Sequence, residues 1–201
     1  MAGIEKPILL DLPVPIRTKR LTLHPLQTGD GAAMFTAISE SMAEFAPWLE
    51  WASSPQTPET AEETARRFSA EFLLRKHLSF AIFSDARFLG MVALYGFKWN
   101  IPSACCGYWL RTSETGKGYM TESVNALSLY GFRHIGLRRL AILCDADNLK
   151  SIAVPKRLDF ALEATSPMAD IHPQTGEPTT ELVFVRLNDA GLDDASVSWP
   201  A

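Results

Sequence analysis

The segment "GYWLRTSETGKGYMTES", Gly107 to Ser123, runs from a strongly apolar strand through Gly116-Lys117-Gly118 into a helix. A strand that turns directly into a helix commits the chain to layers of helix on sheet. Such a turn also leaves backbone N–H groups at the helix N-terminus, where the helix dipole favours an anion. Two nucleotide patterns fail against it. A P-loop needs G-x-x-x-x-G-K-[ST], but Gly118 follows Lys117 and no glycine stands five residues before Gly116. A dinucleotide fingerprint needs G-x-G-x-x-G, and its third glycine position is Thr121. A strand, a splayed turn and a helix N-terminus remain, suited to a pyrophosphate or simply to a tight connection.

The rest of the chain narrows the class. Its 201 residues fit one domain with an ample core, and 19 basic against 23 acidic side chains give a net charge of −4. A nucleic-acid-binding domain would be basic, with clustered Lys and Arg. Cys105, Cys106 and Cys144 form no disulfide framework. Adjacent cysteines in a strand point to opposite faces, and all three lie in apolar runs, where free cysteine behaves as a small hydrophobe; a reactive Cys105 is the alternative. The N-terminus lacks the pattern of a signal peptide, and no apolar run approaches ~18–20 residues, so a cytoplasmic location is expected. His24, His77, His134 and His172 show no metal-ligand spacing, and no metal is expected.

Hydrophobic periodicity organises the chain into an extended arm over 1–16, one domain over 17–188 and a loose acidic tail over 189–201. Pro7, Pro13 and Pro15 keep the arm irregular. "KRLTLHPL" alternates as a strand ending at Pro25, a short helix follows, and "EFAPWLEWASSPQ" reads as an aromatic loop. Thr57-Pro58, with Glu59, Glu62 and Glu63 behind it, starts a helix that runs to about Lys76. A hairpin, the strand "SACCGYWL", a helix from Lys117 to His134 and the strand "RRLAILCD" come next, the last expected to be covered on both faces. Asn148 caps a short helix, and "TTELVFVRL" is a late strand with Leu182, Phe184 and Leu187 as core candidates. The fold class is α+β.

Several of these pieces, in their order, resemble the GNAT acetyltransferase superfamily, in the branch of the RimJ/RimL ribosomal-protein N-terminal acetyltransferases. They are "TKRLTLHPL", "WLEW", "GYWL", "GKGYMTES", "RRLAILCDADNLKS" and "RLDF", spread over roughly residues 17–165. The resemblance implies the acyl-CoA N-acyltransferase fold: a mixed, mostly antiparallel twisted sheet with helices on both faces. It implies acetyl-CoA as the acetyl donor, with backbone amides of Gly116, Lys117, Gly118, Tyr119 and Met120 on the pyrophosphate. Trp109, Leu110 and Arg111 would run beside the pantetheine arm. Asn148 would bond that arm, and Ser151 would lie near the thioester sulfur as the catalytic group. Positions three apart share a helix face, so Asn148 and Ser151 can address one ligand; the plainer readings are a helix cap and a surface serine. Trp48 and Trp51 would wall the acceptor pocket, unless they belong to the core, with Glu50 or Glu44 facing the amine. A homodimer is expected by analogy.

Four positions depart from the family pattern: Ser113 where Arg or Gln is usual, Cys105 where the strand often carries Glu, Asp159 in the closing "RLDF", and Pro155 inside the short helix. A mid-helix proline loses one hydrogen bond and crowds the carbonyl four residues back, here Ser151, at about 3 kcal/mol. A kinked or displaced helix is expected there, moving Ser151. Without the strand glutamate, an α-amine (pKa about 8) should be a better acceptor than lysine (about 10.4), because less free energy is needed to neutralise it. The expected activity is direct acetyl transfer to a protein N-terminal α-amine. The alternatives are a small-molecule amine, a catalytically silent acyl-CoA-binding protein, or an unrelated phosphate-binding domain.

Overall fold

In the computed structural model, which describes residues 3–200, eight strands form one sheet in the order β1-β2-β3-β4-β5-β6-β8-β7. The strands are β1 Ile16–Arg17, β2 Thr22–Pro25, β3 Leu78–Ser84, β4 Arg87–Lys98, β5 Ser103–Leu110, β6 Arg139–Asp145, β7 Ala161–Ile171 and β8 Pro178–Arg186. The helices are α1 Gly31–Phe45, α2 Pro58–Leu73, α3 Tyr119–Tyr130 and α4 Leu149–Arg157. Every pairing is antiparallel except that of β5 with β6.

Alternation along the strands builds a core on each face. Met34, Ala37 and Ile38 of α1 and Ala61 and Ala65 of α2 meet Ala81, Phe88 and Met91 of the sheet. On the other face, Val124 and Leu127 of α3 and Ile152 and Val154 of α4 meet Val92, Leu94, Leu140, Ile142 and Phe184. The sheet is thus mixed, mostly antiparallel and covered by helices on both faces. Local chemistry sets the element ends. Thr57 and Thr60 exchange side-chain and backbone bonds in a capping box, with Pro58 opening α2. The β3–β4 hairpin turns at Asp85, whose φ of 50° an aspartate tolerates.

Several expectations shift. Helix α3 begins at Tyr119, not Lys117, because Gly118 adopts φ 81° and stands outside it; after Tyr130 the chain widens into a π-turn over Gly131–Ile135. Leu187 is 64% exposed: it follows β8 and is out of phase with Leu182 and Phe184, which face the core. Strand β6 is not fully covered, since Leu143 is exposed. The tail is held down: Asn125 and Asp193 exchange two hydrogen bonds, Arg133 pairs with Asp189 and Asp194, and Trp199 packs on Tyr130 and His134. The arm contains one 3₁₀ turn, Pro7–Leu9, and leans Leu10, Leu12 and Val14 on the core. Residues 1 and 2 of the arm and Ala201 of the tail lie outside the described residues.

Proline 155 does not break α4, which continues from Leu149 to Arg157 with Pro155 buried inside it. The carbonyl that Pro155 cannot serve, that of Ser151, accepts instead from the Tyr108 hydroxyl at 3.0 Å.

Candidate functional site

The sheet opens between β5 and β6. Their parallel pairing covers only Ser103↔Arg139, Ala104↔Leu140 and Cys105↔Ala141, yet β5 continues to Leu110 and β6 to Asp145. The Arg111 amide donates to the Leu89 carbonyl at 2.8 Å. By antiparallel alternation, Trp109 and Gly107 also turn their backbone groups to β4, while Cys106, Tyr108 and Leu110 turn theirs into the opening. An unpaired strand edge of this kind can bond an extended polar chain as if it were a further strand.

Of the expected rail, only Leu110 therefore presents backbone groups to the opening. Trp109 puts its ring on the α1 side, edge-on to Phe45 at 5.4 Å. The Arg111 guanidinium is buried; it donates to the Phe88 carbonyl at 3.0 Å and pairs with Glu40 of α1. Its side chain fastens β5 to α1.

Beyond β5 the chain makes a 3₁₀ turn, Thr112–Glu114, and then the glycine turn. Gly116 and Gly118 both take left-handed φ values, 77° and 81°, which glycine alone adopts without strain. Gly116 has open space where a Cβ would stand. Among the described residues, the backbone amides from Gly116 to Thr121 meet no protein acceptor, and no side chain caps α3. A run of unpaired donors at the positive end of a twelve-residue helix is the arrangement that holds a pyrophosphate. The turn is braced from outside. Arg20 donates to the Lys117 carbonyl at 3.0 Å, lies over the Tyr119 ring and pairs with Glu122, which also accepts from Thr18 at 2.6 Å. Buried Glu114 pairs with Arg87 at 3.0 Å and Lys117 at 2.8 Å.

The first turn of α4 stands across the opening. Asn148 caps it, its Oδ1 accepting from the Ser151 amide at 3.0 Å. The Ser151 hydroxyl lies 3.3 Å from the Tyr108 oxygen and 3.2 Å from Cys144 Sγ. Ser151 thus bridges a β5 residue and a β6 residue. Burial pushes the Tyr108 phenol well above its ordinary range, keeping it protonated, and burial likewise raises the Cys144 thiol.

A split parallel pair, an open amide cradle and a capped helix across the gap are now placed together, and the comparisons with known proteins speak to the same region. The family model described as the acetyltransferase (GNAT) domain matches residues 20–161, a span that contains all three features. The chain belongs to the GNAT acetyltransferase family.

Two of its relatives within that family carry ribosomal acetyltransferase names. A Bacillus subtilis protein provisionally named ribosomal N-acetyltransferase YdaF is 28% identical over 149 residues, 72% of this chain and 80% of its own. The ribosomal-protein-serine acetyltransferase of Escherichia coli is 25% identical over 156 residues, 76% of this chain and 86% of its own. Among solved structures, RimL, a ribosomal L7/L12 α-N-protein acetyltransferase in complex with coenzyme A, superposes with a TM-score of 0.81 at 24% identity, covering 89% of this chain and 98% of its own. The fold is the GNAT fold.

The second face of this GNAT sheet is built around aromatic residues. Register puts Trp109, Gly107 and Cys105 of β5 on one side with Ala141, Leu143 and Asp145 of β6 and Val183 and Glu181 of β8. Helices α1 and α2 cover the neighbouring strands of that side, leaving Leu143 exposed. Trp51 packs on Phe45 and Trp109, at 5.8 and 6.3 Å between rings, and Trp48 faces His172 of the β7–β8 connection at 6.1 Å. The two expected pocket tryptophans are each more than a third exposed, at the rim of this face. Glu44 and Glu50 are exposed, whereas Glu181 is half-buried, its carboxyl held above the ordinary range by burial and then by Asp170. The Cys105 thiol, on the same side, is likewise raised by burial. Among the described residues no cluster of His, Cys, Asp or Glu could hold a metal, and no helix is long and apolar enough to cross a membrane.

Sequence reasoning missed Tyr108, the Cys144–Ser151 contact, Glu181 and His172. One signal was present: Pro155 stands four residues after Ser151, so the Ser151 carbonyl needed a donor from elsewhere. Glu181 had none, because only strand register brings it opposite Asp145 of β6, on the same side of the sheet as Cys105 and Trp109 of β5.

Proposed function

We propose that this GNAT enzyme transfers the acetyl group of acetyl-CoA directly to the α-amine of a protein N-terminus. The observation that carries the reading is the continuity of the unpaired amides from Gly116 to Thr121 with the unpaired edge of β5. Together they fit an anionic pyrophosphate followed by an extended amide-bearing chain, the chemistry of CoA. The bound cosubstrate supplies an activated thioester; this chain's residues bind, orient and move protons. Gly116 to Met120 hold phosphate oxygens, and the edge at Tyr108 and Leu110 bonds the pantetheine amides. Ser151 presents its hydroxyl to the sulfur and passes its proton to the leaving thiolate, recovering one from water at the opening. Asn148, whose Oδ1 is engaged in the cap, has its amide nitrogen to offer the same arm.

The acceptor enters on the aromatic side. Trp48 and Trp51 flank its approach, and Glu181 takes the proton the amine must lose, directly or through water. A carboxylate with a raised pKa is the better base. An α-amine is about one unit from neutrality at pH 7, roughly 1.4 kcal/mol, whereas lysine is about three units away, roughly 4–5 kcal/mol. With one partly solvated carboxylate as base, the α-amine is favoured. The names of the ribosomal-protein relatives point to the same acceptor class.

Thiol release tests this directly. Acetyl-CoA is offered with a lysine-free peptide bearing N-terminal Ser or Ala, an N-terminally blocked peptide with one lysine, and an aliphatic polyamine. The expected order at pH 7 is the free N-terminus first. A lysine peptide or polyamine that turns over faster would overturn the acceptor assignment. Absence of thiol release with every amine, together with no rise in melting temperature on adding acetyl-CoA, would overturn the enzymatic reading.

A further inference from the structure

Tyr108 sits where two irregularities of this chain meet. Pro155 has no N–H, so the Ser151 carbonyl loses the donor that a regular helix would supply from position 155. That carbonyl is at the first turn of α4, beside the hydroxyl that faces the opening between β5 and β6. Tyr108 donates to it at 3.0 Å from β5. Its single proton is thereby committed, and toward the Ser151 hydroxyl, 3.3 Å away, the phenol oxygen can only accept. Burial keeps Tyr108 protonated and fixes this direction. Cys144 Sγ, 3.2 Å from the Ser151 oxygen, completes the set.

We infer that Tyr108 is a positioning residue for Ser151: it replaces the helix donor that Pro155 removes and thereby orients the Ser151 hydroxyl toward the opening. The inference rests on the acetyl-transfer reading above and deepens it. A 3.3 Å O···O separation is longer than a good hydroxyl bond, so the Ser151 proton rests on Tyr108 without being strongly held. It can turn to a stronger acceptor, a thiolate, at the same opening. The chain runs Cys144 S–H to Ser151 Oγ–H to Tyr108 Oη–H to the Ser151 carbonyl, and every proton has one place. Remove the phenol and the carbonyl is left without a donor. The hydroxyl can then rotate to serve other groups, and α4 is free to bend at Pro155.

This predicts a specific coupling. Tyr108→Phe lowers kcat roughly ten-fold, the size of one lost orienting bond, while KM for acetyl-CoA stays within about two-fold because the cradle is untouched. It also lowers the melting temperature. In a Pro155→Ala background the alanine amide takes the Ser151 carbonyl, so adding Tyr108→Phe there removes only the weak 3.3 Å acceptor of the Ser151 hydroxyl; it costs clearly less in kcat than in the Pro155 chain and leaves the melting temperature nearly unchanged. Equal losses from Tyr108→Phe in both backgrounds would overturn the inference, as would an unchanged kcat in the single variant. The four melting temperatures test the coupling without turnover, so a failure of the acetyl-transfer reading is distinguishable from a failure of this one. Should Tyr108→Phe alone not fold, its rescue by Pro155→Ala is the expected result, and folding in neither background refutes it.

Discussion

Glu40 is the test case for how the cradle is held in place. Its carboxylate faces Arg111, accepts from the Arg111 Nε at 3.1 Å and takes the Ser113 amide at 3.1 Å, while its neighbour Ser41 accepts the Thr112 amide at 2.9 Å. Two consecutive residues of α1 therefore fasten the segment between β5 and the glycine turn. The Arg111 guanidinium first, and Ser113 next, hold the Glu40 carboxyl at about 2, against 4.5 for a free glutamate. At about 1.4 kcal/mol per tenfold change in proton affinity this corresponds to roughly 3 kcal/mol. Solvent reaches the Glu40 side chain, which is 30% exposed, and screening trims the figure to roughly 2 kcal/mol. Glu40→Gln removes the charge, keeps the shape and leaves the buried guanidinium unneutralised. For a chain of this length the melting temperature at pH 7 should fall by roughly 4–8 °C. Because the folded-state carboxyl is depressed, its contribution is complete above about pH 4.5 and is lost as the pH falls through about 2. The gap between wild type and Glu40→Gln, measured by thermal unfolding at pH 7, 4 and 3, should therefore narrow with acid. A gap under 1 °C at pH 7, or one of constant size down to pH 3, would refute the reasoning.

Three other outcomes follow from the site and the core. Gly116→Val forces a β-branched residue into φ 77° at a cost of about 1–3 kcal/mol and buries no new surface. Equilibrium binding of CoA should weaken ten-fold or more, with the free protein still folded by circular dichroism. Glu181→Gln should lower kcat/KM for the acceptor peptide by about 10²-fold while leaving CoA affinity unchanged. Its residual rate should rise more steeply with pH than the wild-type rate, because only the spontaneously neutral amine then reacts. Phe184→Ala, in a core position 2% exposed, should cost about 3–5 kcal/mol in urea unfolding, whereas Leu187→Ala, at the exposed end of the same segment, should change stability by less than about 0.5 kcal/mol.

The contrast between Phe184 and Leu187 also marks how far a sequence can be read. Alternation is a local property, so the strands, the hairpin and the capped helices were legible. So was the cradle, since Gly116, Gly118 and a helix start are contiguous in the chain. What alternation does not give is where a strand stops pairing. Nothing in "SACCGYWL" says that its bonds to β6 end at Cys105, and so the rail was drawn through the consecutive residues Trp109, Leu110 and Arg111, of which alternation leaves only Leu110 facing the opening, together with Cys106 and Tyr108. Arg111 was read by its place in the motif, but its side chain answers to Glu40, 71 positions away. Pro155 shows the same limit in reverse. Its local penalty was read correctly, and the donor that offsets it, Tyr108, is 43 residues upstream of Ser151. The acidic tail looked loose by composition, although Arg133 pairs with Asp189 and Asp194 and Asn125 holds the Asp193 backbone.

The short seam between β5 and β6 gives the molecule a division of labour that its single continuous sheet conceals. Strands β1 to β5 form one panel and β6, β8 and β7 another, joined edge to edge through only three residue pairs and otherwise by the helices that straddle them. A ligand lying in the gap would finish the seam, bonding a free edge as a substitute strand and acting as a structural staple as well as a substrate. Its departure in altered form would loosen the same joint, so each turnover would tighten and then slacken the link between the panel carrying the tryptophan rim and the panel carrying Glu181.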